Sequence, residues 1–232
     1  MHAEDRIIHL STELIHRPIE QQVPKLQKLY FDLSQTRAAY DSTEFSRPPQ
    51  YRFYSRRGKK TQSVAVFLPD RMVLIEEWAD MALSDFQAKV REVGLRAMNS
   101  LGIPQFVAQT VTLRSTFALS HFDDARVFLL DHACGQQDRI GAYFRRPVAV
   151  GGLRFVLPET PEHKGALHVI IESFRHSLNE VFVEVKGVFA GQRVDAENLE
   201  TAADSIQRVR TFITDNVFPY LDQFDQQWEE TP

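Results

Sequence analysis

The stretch YRFYSRRGKKTQSVAVFLPDRMVLIEEW, residues 51–78, determines the predicted fold. Its β-branched and aromatic residues fall into three runs, 51–56, 63–68 and 72–78, which are typical of strands. The polar turn RRGKK separates the first two runs, and Pro69-Asp70 separates the last two. Because strands joined by short turns pair antiparallel, the stretch predicts a three-stranded antiparallel sheet.

The segments on either side of these strands predict one further strand and two helices. Residues 6–16 have the composition of a strand. A helical pattern of apolar residues follows Pro18, and Pro24 inside it indicates either a kink or the true helix start. Ser84 can cap a second helix that ends at Gly102, with the apolar stripe Phe86, Val90, Val93, Ala97 and Leu101.

The same order of elements recurs in the second half of the chain. A strand is predicted over 109–119, and Ser120 or Asp123 can cap the helix that follows it. Three more strands are predicted, and a last helix that starts at Asp195 continues through Pro219. These strands are 152–157, 166–175 and 180–189.

Residue identity indicates that the recurrence is an internal duplication. LSTELIH at 10–16 aligns with RSTFALS at 114–120, and Val64 to Phe67 aligns with Leu167 to Ile170 at a nearly constant offset. The predicted fold is therefore α+β: a β-α-β-β-β-α unit used twice, in residues 1–104 and 105–232. We expect one compact, pseudo-twofold unit with a curved antiparallel sheet and its helices packed on one face. The alternative is two unrelated α+β halves.

The period of two along each strand assigns side chains to the two faces of the predicted sheet. The pattern assigns these residues to the helix-covered face: Val64, Val66, Val73, Ile75, Leu167, Val169, Ile171, Val181, Val183 and Val185. The opposite face mixes apolar and charged residues, which suits a ligand or partner surface but is also ordinary for a solvated sheet. The candidate binding residues are Arg52, Glu76, Trp78, Arg114, Arg154, His168, Glu172, Glu184 and Lys186.

No motif in the chain predicts catalysis. The sequence has no H-E-x-x-H, paired C-x-x-C, G-x-S-x-G or G-x-G-x-x-G motif, and we predict no metal site, no catalytic residue and no cofactor. The leading hypothesis is a non-enzymatic binding or interaction protein that uses the open sheet face or a cleft between the halves. Its partner would be a small ligand or another protein, and homodimer formation stays open. An enzyme with the cleft carboxylates Glu76, Glu172 and Glu184 is a second alternative.

The sharpest charge feature is a basic run that includes Arg47 and Arg52 and ends in the turn RRGKK, residues 56–60. Aromatic residues interleave with it, which is typical of nucleic-acid surfaces. The first alternative function is therefore nucleic-acid binding through residues 47–60, with Arg56, Arg57, Lys59 and Lys60 as contacts. A solvated hairpin tip would carry the same charges.

Composition excludes several classes of protein. With 27 Lys and Arg against 31 Asp and Glu, the net charge of −4 argues against a wholly basic nucleic-acid surface. A single cysteine, Cys134, cannot form an intramolecular disulfide. The N-terminal residues lack a signal-peptide pattern, and the apolar runs are too short to span a membrane. These features predict a cytoplasmic protein without membrane partners.

Two segments resemble a sporadically distributed bacterial family of uncharacterised proteins. Residues 93–104, VGLRAMNSLGIP, match its central segment at Gly94, Leu95, Arg96 and Asn99, whereas Ala97 replaces the usual aromatic residue. Residues 203–217, ADSIQRVRTFITDNV, are similar to the final helix of that family. The resemblance implies no activity and no catalytic residues. We expect Gly94 to allow a close helix-to-sheet contact and Arg96 to form an ion pair.

Overall fold

The computed structural model describes residues 6–45, 50–58, 60–136 and 139–226. Within them nine strands form one open, curved sheet in which every neighbouring pair is antiparallel. The strand order is β2-β3-β4-β5-β1-β6-β9-β8-β7, so β1 and β6 lie in the middle and β2 and β7 are the edges. The bounds are β1 (Arg6–His16), β2 (Ser42–Glu44), β3 (Tyr51–Arg57), β4 (Thr61–Leu68), β5 (Arg71–Glu77), β6 (Phe106–Ala118), β7 (Gly152–Leu157), β8 (Ala166–Ser173) and β9 (Glu180–Val194).

The helices are α1 (Val23–Ser34), α2 (Leu83–Leu101), α3 (Ala125–Val127), α4 (Arg139–Phe144), α5 (Glu200–Phe212) and α6 (Phe218–Asp222). The predicted helices are present in the predicted order, and strand β2 and helix α4 are additions to the predicted elements. A π-helical turn, Phe128–Ala133, extends α3, and a second one, Ile213–Val217, joins α5 to α6. Because proline disrupts regular helical hydrogen bonding, the second turn accommodates Pro219. The chain stays helical across this proline, as the sequence predicts.

The core lies between one face of the sheet and the helices. Leu10, Leu113 and Val185 are directly opposite one another on β1, β6 and β9, and all three are buried. They belong to the same apolar cluster as Leu29 of α1 and Val90 of α2. The α+β class and the open sheet with its helix-covered face are therefore confirmed.

The predicted faces are right for the second half and wrong for β4 and β5. Met72, Leu74 and Glu76 point to the helices, whereas Val73 and Ile75 lie on the open face opposite Val66 and Val64. Both faces of these two strands are apolar, so the alternation alone does not select one. The register with β1 selects it, because Leu10 is opposite Glu76 and Leu14 is opposite Met72.

Several helix boundaries differ from the predicted ones. Helix α1 begins at Val23 with Pro24 in its first turn, which is one of the two expected arrangements. The N-cap of α2 is Ala82 and not Ser84, and Asp124, not Ser120 or Asp123, caps α3 with its side chain. Asp195 accepts hydrogen bonds from the backbone of a turn, and α5 starts only at Glu200. An N-cap hydrogen bond involves only neighbouring residues, so any of several polar residues near the start of a helix can serve as the N-cap.

Gly94 makes a close contact, but with a different element than predicted. A Cβ atom on Gly94 would lie 3.1 Å from Cδ2 of Leu199, the N-cap residue of α5. The contact therefore joins α2 to α5 and not α2 to the sheet. Arg96 pairs with Glu92 one turn earlier on the same helix, which is the expected ion pair.

Candidate functional site

Seven of the predicted binding residues lie on the open face of the sheet. Arg114 is opposite Glu184, and its Nε donates a 2.6 Å hydrogen bond to Oε2 of that carboxylate. Lys186 is opposite His168, and Arg154 shares the face from edge strand β7. The seven are Arg52, Arg114, Arg154, His168, Glu172, Glu184 and Lys186. The open face thus mixes charged and apolar side chains and carries an ion pair across its centre.

The other two predicted residues, Glu76 and Trp78, do not share this face. Glu76 lies on the helix side, because the side chains of β5 point to the faces opposite to the predicted ones. Trp78 comes directly after β5, where its φ of 51° leaves the extended conformation. The carboxylates proposed for an enzyme are therefore split, with Glu76 on one side of the sheet and Glu172 and Glu184 on the other.

Glu76 and Trp78 instead line a cleft of about 760 Å³, which we call the Trp78 cleft. Its wall on one side comes from residues 37–39 and the end of β3, and its floor comes from β4 and β5. The other wall comes from residues 79–81 and the N-terminal half of α2. The cleft lies within the first half of the chain, so it is not the predicted cleft between the halves.

A buried ion pair forms part of the floor of the Trp78 cleft. The Lys89 ammonium lies 2.8 Å from Oε1 of Glu76 and donates a 2.6 Å hydrogen bond to Oγ of Ser63. Ser63 in turn donates to the same Glu76 oxygen at 2.8 Å. The side chains of Lys89 and Glu76 are only 10% and 3% exposed. A buried pair is held in place in this way only when hydrogen bonds offset its desolvation.

Tyr40 packs against this pair from the protein interior. The Lys89 ammonium lies 4.3 Å from the centre of the Tyr40 ring, within the range of a cation–π interaction. The Tyr40 hydroxyl is buried. Burial, and after it the charge of Glu76, raise the pKa of Tyr40 well above its ordinary value. The Tyr40 side chain is therefore a neutral phenol, and its ring contacts the Lys89 ammonium in that form.

Trp78 has a strained backbone at the mouth of the cleft. A bulky residue with positive φ is a genuine outlier, and such strain persists only where neighbouring contacts impose it. The backbone N–H of Trp78 donates to the carbonyl oxygen of Ile8 at 2.9 Å, and Thr61 Oγ1 donates to the backbone carbonyl of Trp78 at 3.3 Å. The cationic groups of Arg6 and Lys60 each lie 5.1 Å from the centre of the indole ring.

Cations and acids line the Trp78 cleft from different segments of the chain. Arg37 follows α1 and Arg57 ends β3, whereas Asp80 precedes α2 and Asp85 lies in its first turn. None of the four forms an ion pair within the described part of the chain. The Lys89 and Glu76 charges compensate each other, so the cleft offers one free cationic wall and one free acidic wall.

A second pocket, of about 640 Å³, lies beside Trp78 at the same end of the sheet. Its lining includes Arg56, Lys60, Glu77 and His176. Arg56, Arg57 and Lys60 of the proposed nucleic-acid hairpin are exposed here, whereas Lys59 and Arg47 lie outside the described residues. The hairpin and the Trp78 cleft are therefore parts of one end of the molecule.

His9, on the open face, is buried beside Glu77. Its Nε2 shares a 2.9 Å hydrogen bond with Ser11 Oγ, and its Nδ1 lies 3.4 Å from Oε1 of Glu77. Burial, and then the charge of Arg114, lower the pKa of His9 despite the opposing effect of Glu77. Burial also lowers the pKa of His16. Both imidazoles are neutral in the folded chain at neutral pH.

These two histidines predict a fall in stability on mild acidification. Below about pH 6.5 an unfolded histidine takes up a proton that His9 and His16 resist in the folded chain. The free energy of unfolding should therefore decrease from pH 7.5 to pH 5.5, by up to about 1.4 kcal/mol per pH unit for each histidine. Urea unfolding at both pH values measures this difference. The double variant His9→Gln/His16→Gln should show a smaller pH dependence, and an equal one would contradict the assignment.

Sequence reasoning missed most of the Trp78 cleft. Lys89 lies between Phe86 and Val90, on the edge of the buried stripe of α2, and a charged residue there is usually solvated. Arg37 and Asp80 lie in loops, where no periodic pattern in the sequence indicates which way a side chain points. The local pattern does not reveal Glu76 as buried, because Glu76 follows Met72 and Leu74 at the same strand spacing at which Glu77 follows Val73 and Ile75.

Comparisons with known proteins do not add a function. Neither a scan against protein-family models nor a search of curated proteins gave a match. The resemblance of residues 93–104 to a bacterial family therefore stays a prediction. Among the described residues, no group of three His, Cys, Asp or Glu side chains could hold a metal ion. No helix in the described ranges is both long enough and apolar enough to cross a membrane.

Proposed function

We propose that the protein is a non-enzymatic binding protein and that its ligand, a small zwitterion of short-peptide size, binds in the Trp78 cleft. The observation that supports this proposal is the charge of the cleft walls. Arg37 and Arg57 lie on one wall, and Asp80 and Asp85 lie on the other. An anionic group, such as a terminal carboxylate, fits the arginine wall. An ammonium group fits the aspartate wall, and hydrogen bonds to such charged partners are the strong ones.

The size and floor of the cleft support this proposal. Its volume of about 760 Å³ falls in the range of pockets that hold drug-sized molecules. Thr61, Gln62 and Ser63 of β4 add polar groups to the floor. The Lys89–Glu76 pair fixes α2 against β4 and β5, so the two walls are preorganised for binding.

Blocked peptides test the proposal directly. We expect a tripeptide from a panel with apolar, aromatic and polar side chains to bind, as measured by isothermal titration calorimetry. Its N-acetyl derivative and its C-terminal amide should each bind at least about tenfold more weakly, because each loses one charged contact. Arg37→Glu and Asp80→Lys should weaken binding, whereas Arg208→Glu on α5 should not. Absence of binding by every tripeptide, or equal binding of the blocked forms, would overturn the proposal.

The alternative functions receive less support from the geometry. Arg57 faces the cleft, and the ring of Trp78 is approached by Arg6 and Lys60, so it does not offer the free aromatic surface on which bases stack. Salt-sensitive binding of an oligonucleotide, with no tripeptide binding, would favour the hairpin of residues 47–60 instead. For an enzyme, Glu76 is separated from Glu172 and Glu184, and Arg114 already pairs with Glu184.

We also infer that the two halves arose by duplication. Two observations support the inference: β3-β4-β5-β1 on one side of the sheet has the same sequential arrangement as β7-β8-β9-β6 on the other, and the repeats meet at β1 and β6. The Trp78 cleft is lined by residues of the first half, between Arg37 and Glu92. On this account, ligand binding is a property of the first half alone.

A further inference from the structure

The two edges of the sheet are protected to different degrees. Edge strand β2 has only three residues, Ser42–Glu44, and ends in an acid. Edge strand β7 has six residues, Gly152–Leu157, and within the described part of the chain β8 is the one strand that pairs with it. Phe155 and Leu157 are each 40% exposed and Val156 is 57% exposed. A long, apolar edge with unpaired backbone groups is a template for another strand, and natural proteins otherwise shield such edges.

Only a few registers let β7 pair with a second copy of itself. A twofold axis perpendicular to the sheet keeps the helices of both copies on one side, and it sets one residue of β7 opposite the same residue of the second copy. Axes at Arg154 and at Phe155 both allow five residues of overlap. An axis at Arg154 sets two guanidinium groups against each other, which is destabilising.

We propose that the protein forms a homodimer in which two β7 strands pair antiparallel about an axis at Phe155. Phe155 then faces Phe155 of the second copy, and Leu153 faces its Leu157, so the apolar residues on the helix side continue from one copy to the other. Arg154 faces Val156 of the second copy on the open side. The two open faces join into one continuous surface. This inference does not depend on the ligand of the Trp78 cleft.

Two substitutions at Val156 test both whether a second copy of the chain pairs with β7 and which residues of the two β7 strands lie opposite each other. Val156→Glu sets a carboxylate opposite Arg154 of the second copy, whereas Val156→Lys sets a like charge there. Sedimentation velocity over about a hundredfold range of protein concentration should show a dimer for the unaltered chain. At low salt the glutamate variant should dimerise at least about tenfold more tightly than the lysine variant, because each dimer contains two such cross-strand pairs.

The two variants control for each other. Both replace the same exposed valine by a charged residue of similar length, and far-UV circular dichroism should show that both fold. A monomer at every concentration of the unaltered chain would overturn the proposal, and so would capture of a different polypeptide by a monomeric chain. Equal dimerisation of the two variants would overturn the register. Arg37→Glu, in the Trp78 cleft, should leave the dimer unchanged even if it abolishes ligand binding.

Discussion

Replacing Lys89 by methionine should destabilise the protein by about 3–5 kcal/mol, because the Glu76 carboxylate then stays buried without a cation. Methionine preserves most of the apolar stem of lysine, so the loss reports the charge and its hydrogen bonds to Glu76 and Ser63. Urea unfolding at pH 7 measures the free energy of unfolding. The effect should be among the largest of any single substitution in the chain, since large losses come from uncompensated buried charges.

Two controls distinguish this effect from the loss of any ion pair. The double variant Lys89→Met/Glu76→Leu removes both charges and should recover most of the stability. Arg91→Met, on the same helix, breaks the exposed pair with Glu200 and should change the free energy of unfolding by at most about 1 kcal/mol. A loss for Lys89→Met no greater than that of Arg91→Met would contradict the buried pair.

Replacing Gly152 by alanine should destabilise the protein by about 3 kcal/mol or more, because the new methyl group has no room. A Cβ atom at this position would lie 2.1 Å from the carbonyl oxygen of Ile171 and 2.7 Å from Cα of Glu172. Both atoms belong to the backbone of β8, the strand with which β7 pairs in the described sheet. The clash therefore separates the two strands where their pairing begins.

Thermal unfolding and hydrogen exchange measure the effect at Gly152. Exchange of the β7 amides should accelerate in Gly152→Ala more than exchange in β1 or β6. Gly141→Ala in α4 is the matched control, because nothing lies within 4 Å of its added Cβ and alanine favours helix. A stability of Gly152→Ala equal to that of Gly141→Ala would show that β7 and β8 are not in the described register.

The fold could be predicted where one side of a strand or helix is apolar and the other is polar. Strand β1 has this pattern, and its predicted bounds, 6–16, agree with the structure. Helix α2 has a clear apolar stripe and ends at Gly102, whose φ of 75° suits glycine. In these elements, local preference and burial favour the same structure.

The sequence could not assign the faces of β4 and β5 or the direction of loop residues. Val64 and Ala65 are consecutive and both apolar, so either of them could face the helices. A one-residue shift in the register of the strand would exchange the two faces. Long-range pairing with β1 decides between them, and it carries Glu76 into the interior. The Lys89–Glu76 pair, and with it the Trp78 cleft, follows from that tertiary contact and from no local pattern.

The most direct test of the proposed function uses Trp78 as a reporter. The chain has two tryptophans, and Trp228 lies outside the described residues, so Trp228→Phe leaves Trp78 as the sole source of tryptophan emission. Titration of this variant with the tripeptide panel should give a saturable change in emission for a binding peptide. Adding Arg37→Glu should abolish the change, whereas adding Arg208→Glu should preserve it. Emission that no tripeptide alters, or a saturable change that survives Arg37→Glu, would contradict the Trp78 cleft as the binding site.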